Sequence, residues 1–240
     1  MENYLFGTKK NMLRPRTYFV VGTDTDVGKT TIACALLYLA QQQGFSTLAA
    51  KPVASGSTPT LDGLRNNDAL SLQAQCSESI PYELINPFAF EPAIAPHIAA
   101  TQANINLSIP KLFTAVQAVT AKKANYTLIE GAGGWHVPIN QQERLSDLAK
   151  TLQFPIILIV GIKLGCINHT LLTVEAIKNA GICIAGWVAN HAIPPTDAAQ
   201  ENIDYLRQSL AIPCLGVVPY LPTATAEDIS SYLYLPPTPN

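Results

Sequence analysis

Charge is what this chain has least of. Asp, Glu, Lys and Arg make up 13% of the residues, against roughly 25% in an ordinary soluble domain. The formal net charge is only −2 and no run of basic residues occurs, which excludes bulk attraction to nucleic acid. A low-charge exterior points instead to surface buried elsewhere, as in an oligomer. No Cys-x-x-Cys pair occurs, and the five cysteines are odd in number, so neither a disulfide framework nor a zinc ribbon is indicated. They read as small core hydrophobes in a reducing compartment. The histidines (His97, His136, His169 and His191) are scattered without metal-ligand spacing, which argues against a zinc site. The longest apolar run, 154–162, is interrupted by Pro155 and Gly161 and falls far short of the roughly 20 residues that span a bilayer. Residues 1–16 hold Lys9, Lys10, Arg14 and Arg16 but no apolar h-region. The expectation is a flexible N-terminal arm on a soluble, cytoplasmic protein rather than a secretory signal.

Apolar residues are plentiful, at 48% of 240, enough for one sizeable core without staples. Short apolar runs predict strands at 18–21, 47–52, 126–129, 156–160, 184–188 and 214–218. Helical periodicity predicts helices at 29–43, 67–75, 109–123, 145–152, 168–180 and 197–210. Strands that are apolar throughout are buried on both faces. Their alternation with helices predicts an α/β fold: a single doubly wound, mainly parallel sheet flanked by helices, P-loop NTPase-like, spanning 17–234. Ligands are then expected at the carboxyl ends of the strands. Segment 77–106, poor in charge and holding Pro81, Pro87, Pro92 and Pro96, reads as an ordered excursion over those ends. The proline-rich tail, 235–240, is expected to fray.

The strongest local signal is Gly22-Thr23-Asp24-Thr25-Asp26-Val27-Gly28-Lys29-Thr30, between an apolar strand and an apolar helix. Strand, small-residue loop and helix in that order form a phosphate-binding P-loop, with backbone N–H groups facing an anion. Lys29 is placed to reach the terminal phosphates and the Thr30 hydroxyl to ligate Mg²⁺. The common spacing puts a glycine at position 23; here Thr23 stands there and Gly22 lies one residue earlier.

Four further segments fall at predicted strand ends. In Lys51-Pro52-Val53-Ala54-Ser55-Gly56, a lysine ending an apolar strand must find an anion or water. In Leu64-Arg65-Asn66-Asn67-Asp68-Ala69-Leu70, Asp68 is equally readable as a charge favoured by a helix dipole or as a metal ligand. In Glu130-Gly131-Ala132-Gly133-Gly134-Trp135, a carboxylate ends a buried strand, where nucleotide enzymes hold Mg²⁺, and the glycines let backbone approach a ligand. In 160–169, Val-Gly-Ile-Lys-Leu-Gly-Cys-Ile-Asn-His, strand again runs through glycines into helix. That helix start reads either as a second anion site or as plain capping by Asn168.

Taken together, the segments at 22–30, 51–56, 64–70, 130–135, 160–169 and 186–190 (Gly-Trp-Val-Ala-Asn) resemble the dethiobiotin synthase family across about 17–221. The longer P-loop spacing is a habit of that family. The resemblance implies an ATP-dependent cyclo-ligase. It would close the ureido ring of dethiobiotin from 7,8-diaminononanoate, CO₂ and MgATP, through a carbamate and a carbamic–phosphoric anhydride. It implies catalytic roles for Lys51 and Lys29, and Mg²⁺ on Thr30, Asp68 and Glu130. It implies nucleotide contacts from Asp26, Val27, Gly28, Lys29, Thr30, Thr31, Glu130, Gly131, Ala132, Gly133, Asn190, Pro219, Tyr220 and Leu221. Ser55 matches a substrate contact. Leu164, Gly165, Cys166, Ile167 and Asn168 would reach the diamine carboxylate bound by the partner in a homodimer. The family carries an acidic residue where His191 stands, so only Asn190 transfers there. Glu227 stands near a family glutamate without a fixed register.

Two other readings are open to these motifs. A P-loop switch ATPase of the partitioning type would carry a second lysine early in the loop, and Thr23, Asp24, Thr25, Asp26 and Val27 supply none. A related ATP-dependent amide ligase acting on another substrate fits the P-loop and Glu130 equally well.

Overall fold

A computed structural model describes residues 16–237. The chain opens with β1 (Arg16–Gly22), α1 (Lys29–Gln42) and β2 (Thr47–Ala50), followed by the short β3 (Val53–Ala54). A small hairpin, β4 (Thr58–Thr60) and β5 (Gly63–Arg65), leads to α2 (Asn67–Ala74). Next come α3 (Tyr82–Ile85), β6 (Phe88–Ala89), α4 (Pro96–Gln102) and α5 (Ile109–Thr120). The second half alternates regularly: β7 (Tyr126–Glu130), α6 (Leu145–Leu152), β8 (Ile156–Gly161), α7 (Cys166–Asn179) and β9 (Ile184–Asn190). It closes with α8 (Ala199–Ser209), β10 (Cys214–Val218) and α9 (Ala226–Ser230).

Six strands form one sheet in the order β10-β9-β8-β1-β7-β2, with every pairing parallel. The order turns outward in both directions from β1, the doubly wound arrangement expected from the alternation. Successive residues of β1 supply opposite faces. Phe19 and Val21 join one buried cluster, with residues of α5, α6, α7 and α8. Tyr18 and Val20 join the other, with Ile32, Leu36 and Leu37 of α1. Each fully buried aliphatic side chain contributes roughly 1.5–3 kcal/mol, which is why strands this apolar settle at the centre. The short α9 packs along α1 through Ile229, and Leu233 just beyond it pairs with Gly216 of β10.

Three local expectations are corrected. The start of α7 is not capped by Asn168: Gly165 is its N-cap, in the left-handed region at φ 91°, and Asn168 lies inside the first turn. The tail does not fray from Leu235, which packs against the α1 cluster while Pro236 is buried; positions 238–240 lie outside the described residues. The cysteines are not uniformly core: Cys34 and Cys166 are buried, Cys183 is exposed. The expected arm at 1–16 lies outside the described residues except for Arg16, which begins β1. No helix among the described residues is long and apolar enough to cross a membrane.

Candidate active site

The carboxyl ends of the central strands surround a cleft of about 1020 Å³. At its centre the P-loop links β1 to α1. Gly28 takes φ 85°, and a Cβ there would lie 2.2 Å from Asn190 Nδ2, so only glycine lets the loop pass this close to the end of β9. Asp26 also sits in the left-handed region, at φ 57°, a conformation that costs a non-glycine residue about 1 kcal/mol or more. The loop is tied on both sides. Asn190 Nδ2 donates to the Val27 carbonyl at 2.9 Å, and Lys163, just past β8, donates to Asp24 Oδ2 at 2.8 Å. Lys29 Nζ donates to the main-chain oxygen of Asp24 at 3.1 Å. Burial lowers the pKa of Lys29; the nearby Lys51 charge adds to this and Glu130 opposes it.

Lys51 is only 6% exposed and does not snorkel. Its ammonium lies between two carboxylates, 2.5 Å from Asp68 Oδ2 and 2.7 Å from Glu130 Oε1. Burial alone would drive the ammonium toward neutrality, but Glu130 and Asp68 outweigh it and raise the pKa above the ordinary lysine value. Glu130, fully buried at the end of β7, also accepts from Thr30 Oγ1 at 2.8 Å. Its second oxygen, Oε2, is buried with no hydrogen-bond partner among the described residues. Asp68 stands in the first turn of α2, whose N-cap Asn66 accepts from the Ala69 amide at 3.3 Å. Asp68 thus lies at a helix start, as the first of its two readings has it, and it also pairs with Lys51.

The backbone of Lys51 is clamped by the excursion at 77–106. Its N–H donates to Ile85 O at 2.8 Å and its carbonyl accepts from Asn86 Nδ2 at 2.6 Å. Tyr82 Oη donates to Asn86 Oδ1 at 3.1 Å and accepts from the Asn66 amide at 2.7 Å. One buried network thus positions both Lys51 and the helix that carries Asp68. Sequence reasoning missed Tyr82, Asn86 and the Asp24–Lys163 pair, since partners so distant along the chain carry no local signal. It also missed His136, which lines the cleft with Nδ1 3.1 Å from Ser146 Oγ.

Most of the expected residues converge here. Asp26, Gly28, Lys29, Thr30, Thr31, Lys51, Ser55, Asp68, Glu130, Ala132, Gly133, Asn190, Pro219, Tyr220 and Leu221 all line the cleft. Ser55 Oγ has no hydrogen-bond partner among the described residues. Val27 and Gly131 lie behind the wall instead; the Gly131 amide ties the turn to Val20 O at 3.0 Å. Leu164, Gly165, Cys166, Ile167 and Asn168 do not line it, and Leu164 is 91% exposed. Glu227 lies beside Tyr38 and a shallow surface depression, outside the cleft.

A family profile described as an AAA domain matches residues 16–228. The ATP-dependent dethiobiotin synthetase BioD of Pseudomonas aeruginosa (strain UCBPP-PA14) is 54% identical over 220 residues, 92% of this chain and 96% of that protein. The chain belongs to the dethiobiotin synthetase family. The synthetase of Cellvibrio japonicus is 51% identical over 222 residues, 92% of this chain and 97% of its own length. That of Yersinia pestis bv. Antiqua is 45% identical over 226 residues, 92% and 94%. Solved structures show the same architecture at low identity. The signal recognition particle receptor FtsY of Elizabethkingia anophelis, in complex with GDP, superposes at TM-score 0.57 and 15% identity over 95% of this chain and 63% of that one. The Aquifex aeolicus MinC:MinD cell division protein complex gives 0.56 and 14% over 90% and 84%. At such identities the likeness carries the fold alone, so this synthetase family member takes its chemistry from the relatives and the site, not from FtsY or MinD.

Proposed function

We propose that this chain joins 7,8-diaminononanoate and CO₂ at the expense of ATP, giving dethiobiotin, ADP and phosphate in biotin biosynthesis. The observation that carries this reading is Lys51, held between Glu130 and Asp68 at the mouth of a P-loop, in a chain 54% identical to a named synthetase. One amine of the substrate captures CO₂ as a carbamate. A carbamate oxygen attacks the γ-phosphorus and ADP leaves, forming a carbamic–phosphoric anhydride. The second amine then attacks the carbonyl carbon, closes the ring and expels phosphate. The substrate supplies both nucleophiles, so positioning and charge neutralisation are what the protein must add. Lys29 and Lys51 neutralise charge on the phosphates and the carbamate, and Ser55 contacts the substrate beside them.

The residues present fit Mg²⁺. Thr30, Asp68 and Glu130 offer only hard oxygen donors, and the unpartnered Glu130 Oε2 is a buried acceptor suited to a cation. When bound, Mg²⁺ supplies charge compensation to the triphosphate. Lys51 bridges the same two carboxylates and offsets one of their two charges in the protein alone.

The assignment of 164–168 to a partner's diamine site is supported by its place outside this chain's cleft and by the exposure of Leu164. The reading is therefore a homodimer with each diamine carboxylate held across the interface. Five unpaired thiols suit the reducing cytoplasm. The test is incubation with Mg²⁺, ATP, the diamine and labelled bicarbonate. Acid-stable label in dethiobiotin, dependent on ATP and diamine, is expected; a folded, ATP-binding protein that leaves dethiobiotin unlabelled would refute the assignment.

A further inference from the structure

The cleft has a second end, beyond the P-loop, where β9 and β10 finish. Its walls are mostly apolar: Ala192, Val218, Pro219, Leu221 and Pro222. Among the described residues, only Asn190, His191 and Tyr220 bring hydrogen-bonding side chains to this end. The amide nitrogen of Asn190 is committed to Val27 O, which leaves its carbonyl oxygen as an acceptor. Tyr220 is 40% exposed at the rim. His191 is held by its backbone, whose N–H donates to Val218 O at 3.0 Å, and it lines the cleft.

The ring has an unusual freedom. Nδ1 is sealed from solvent and has no hydrogen-bond partner among the described residues. In a neutral histidine, the hydrogen bond made by one nitrogen decides which of the two carries the proton. Among the described residues nothing makes that decision for His191. Nε2, the other ring nitrogen, can therefore serve as donor or acceptor according to what it meets. Burial lowers the pKa of His191 below the usual value, in keeping with a neutral ring.

We infer that His191 sets which nucleobase this cleft accepts, and that its unfixed tautomer admits both amino-bearing and keto-bearing purines. This rests on the ATP-dependent reading above. Adenine offers an amino donor and a ring acceptor where hypoxanthine offers a keto acceptor and a ring N–H donor. A site with a fixed pattern rejects one of the two, because a polar group is left unpaired. A side chain that can exchange donor for acceptor avoids that loss at its own contact, and the acceptor-only Asn190 carbonyl leaves no more than a residual preference for the amino-bearing base.

The experiment compares MgATP with MgITP in four proteins, by kcat/KM for ring closure and by equilibrium binding. The wild type is expected to use the two within about tenfold of each other. His191→Asn, whose amide can turn to offer either a donor or an acceptor, should keep that ratio within about threefold. His191→Asp offers acceptors only and should move the ratio by at least about tenfold, chiefly through KM. Tyr220→Phe should leave it unchanged. A wild type that discriminates by more than about a hundredfold overturns the inference. So does a His191→Asp ratio equal to the wild type's, or a shift that appears in Tyr220→Phe instead. Equilibrium binding reports the ratio even where neither triphosphate supports ring closure, so failure of the synthetase reading and failure of this inference are told apart.

Discussion

The two ends of the cleft are built on opposite principles. At the phosphate end the buried lysines are already engaged, Lys51 with Glu130 and Asp68 and Lys29 with a main-chain oxygen, and Thr30 donates to Glu130. At the base end the walls are apolar, and the one buried ring nitrogen has no partner among the described residues. The first end is preorganised, as electrostatic stabilisation of transferring phosphate demands. The second relies on shape and on a group left uncommitted. Damage at the first end should therefore strike kcat and the fold together, whereas damage at the second should alter affinity and choice.

Lys51→Met tests this contrast most severely. Activity should fall at least about a thousandfold, and stability by about 3–5 kcal/mol, because Glu130 becomes a buried carboxylate without its counter-charge. The double variant Lys51→Met/Glu130→Gln should recover most of the stability and none of the activity; denaturant titration beside the labelling assay separates the two. The sign with pH is fixed by the raised pKa of Lys51 in the fold. Its pairing contributes fully below the ordinary lysine value of 10.5 and is lost only as pH rises through the higher folded value. Wild-type stability attributable to this pair should thus stay flat through the neutral range.

Gly28→Ala should come next. It forces an alanine into φ 85° and against Asn190, at a cost of about 1–3 kcal/mol, and it displaces the loop that binds triphosphate. Nucleotide affinity measured by calorimetry should drop more than tenfold; unchanged affinity would show that the loop has slack the structure denies. Tyr82→Phe sharpens the comparison from outside the cleft. It strands the Asn66 amide and Asn86 Oδ1, costing about 1–3 kcal/mol. It should lower kcat by letting Lys51 shift while leaving nucleotide affinity nearly intact. The smallest effect belongs to Lys163→Met. Its pair with Asp24 is about 40% exposed on both sides, so melting should register under about 1 kcal/mol.

Where local chemistry decides the structure, the sequence was readable. The central strands announce themselves because Tyr18–Val21 and Ile156–Val160 are apolar on both faces, and both clusters bury them. Gly28, Lys29 and Thr30 declare a P-loop because the turn needs a left-handed glycine and the phosphates need a lysine and a hydroxyl beside it. Legibility fails where the decision is made at a distance. Nothing beside Lys51 shows that Asn86 grips its carbonyl, and nothing beside Asp24 shows Lys163 arriving from a separation of 139 residues. The hairpin at Thr58–Arg65 went unseen because its strands are three residues each, the first exposed and holding Pro59, the second only half-buried. The start of α7 was misread because Asn168 is a good capping residue in general, whereas the turn actually used needs the left-handed backbone that Gly165 provides.

The packing of α9 against α1 has a consequence in time as well as in space. The helix that carries the P-loop leaves the ribosome well before Ile229 and Leu233, which cover it. Strand β1 is flanked by β7 and β8, both of which are made long after it. The nucleotide site is thus begun long before it can be finished. A nascent chain halted before α9 would expose the apolar back of its own P-loop helix, a surface for chaperones to hold until translation resumes.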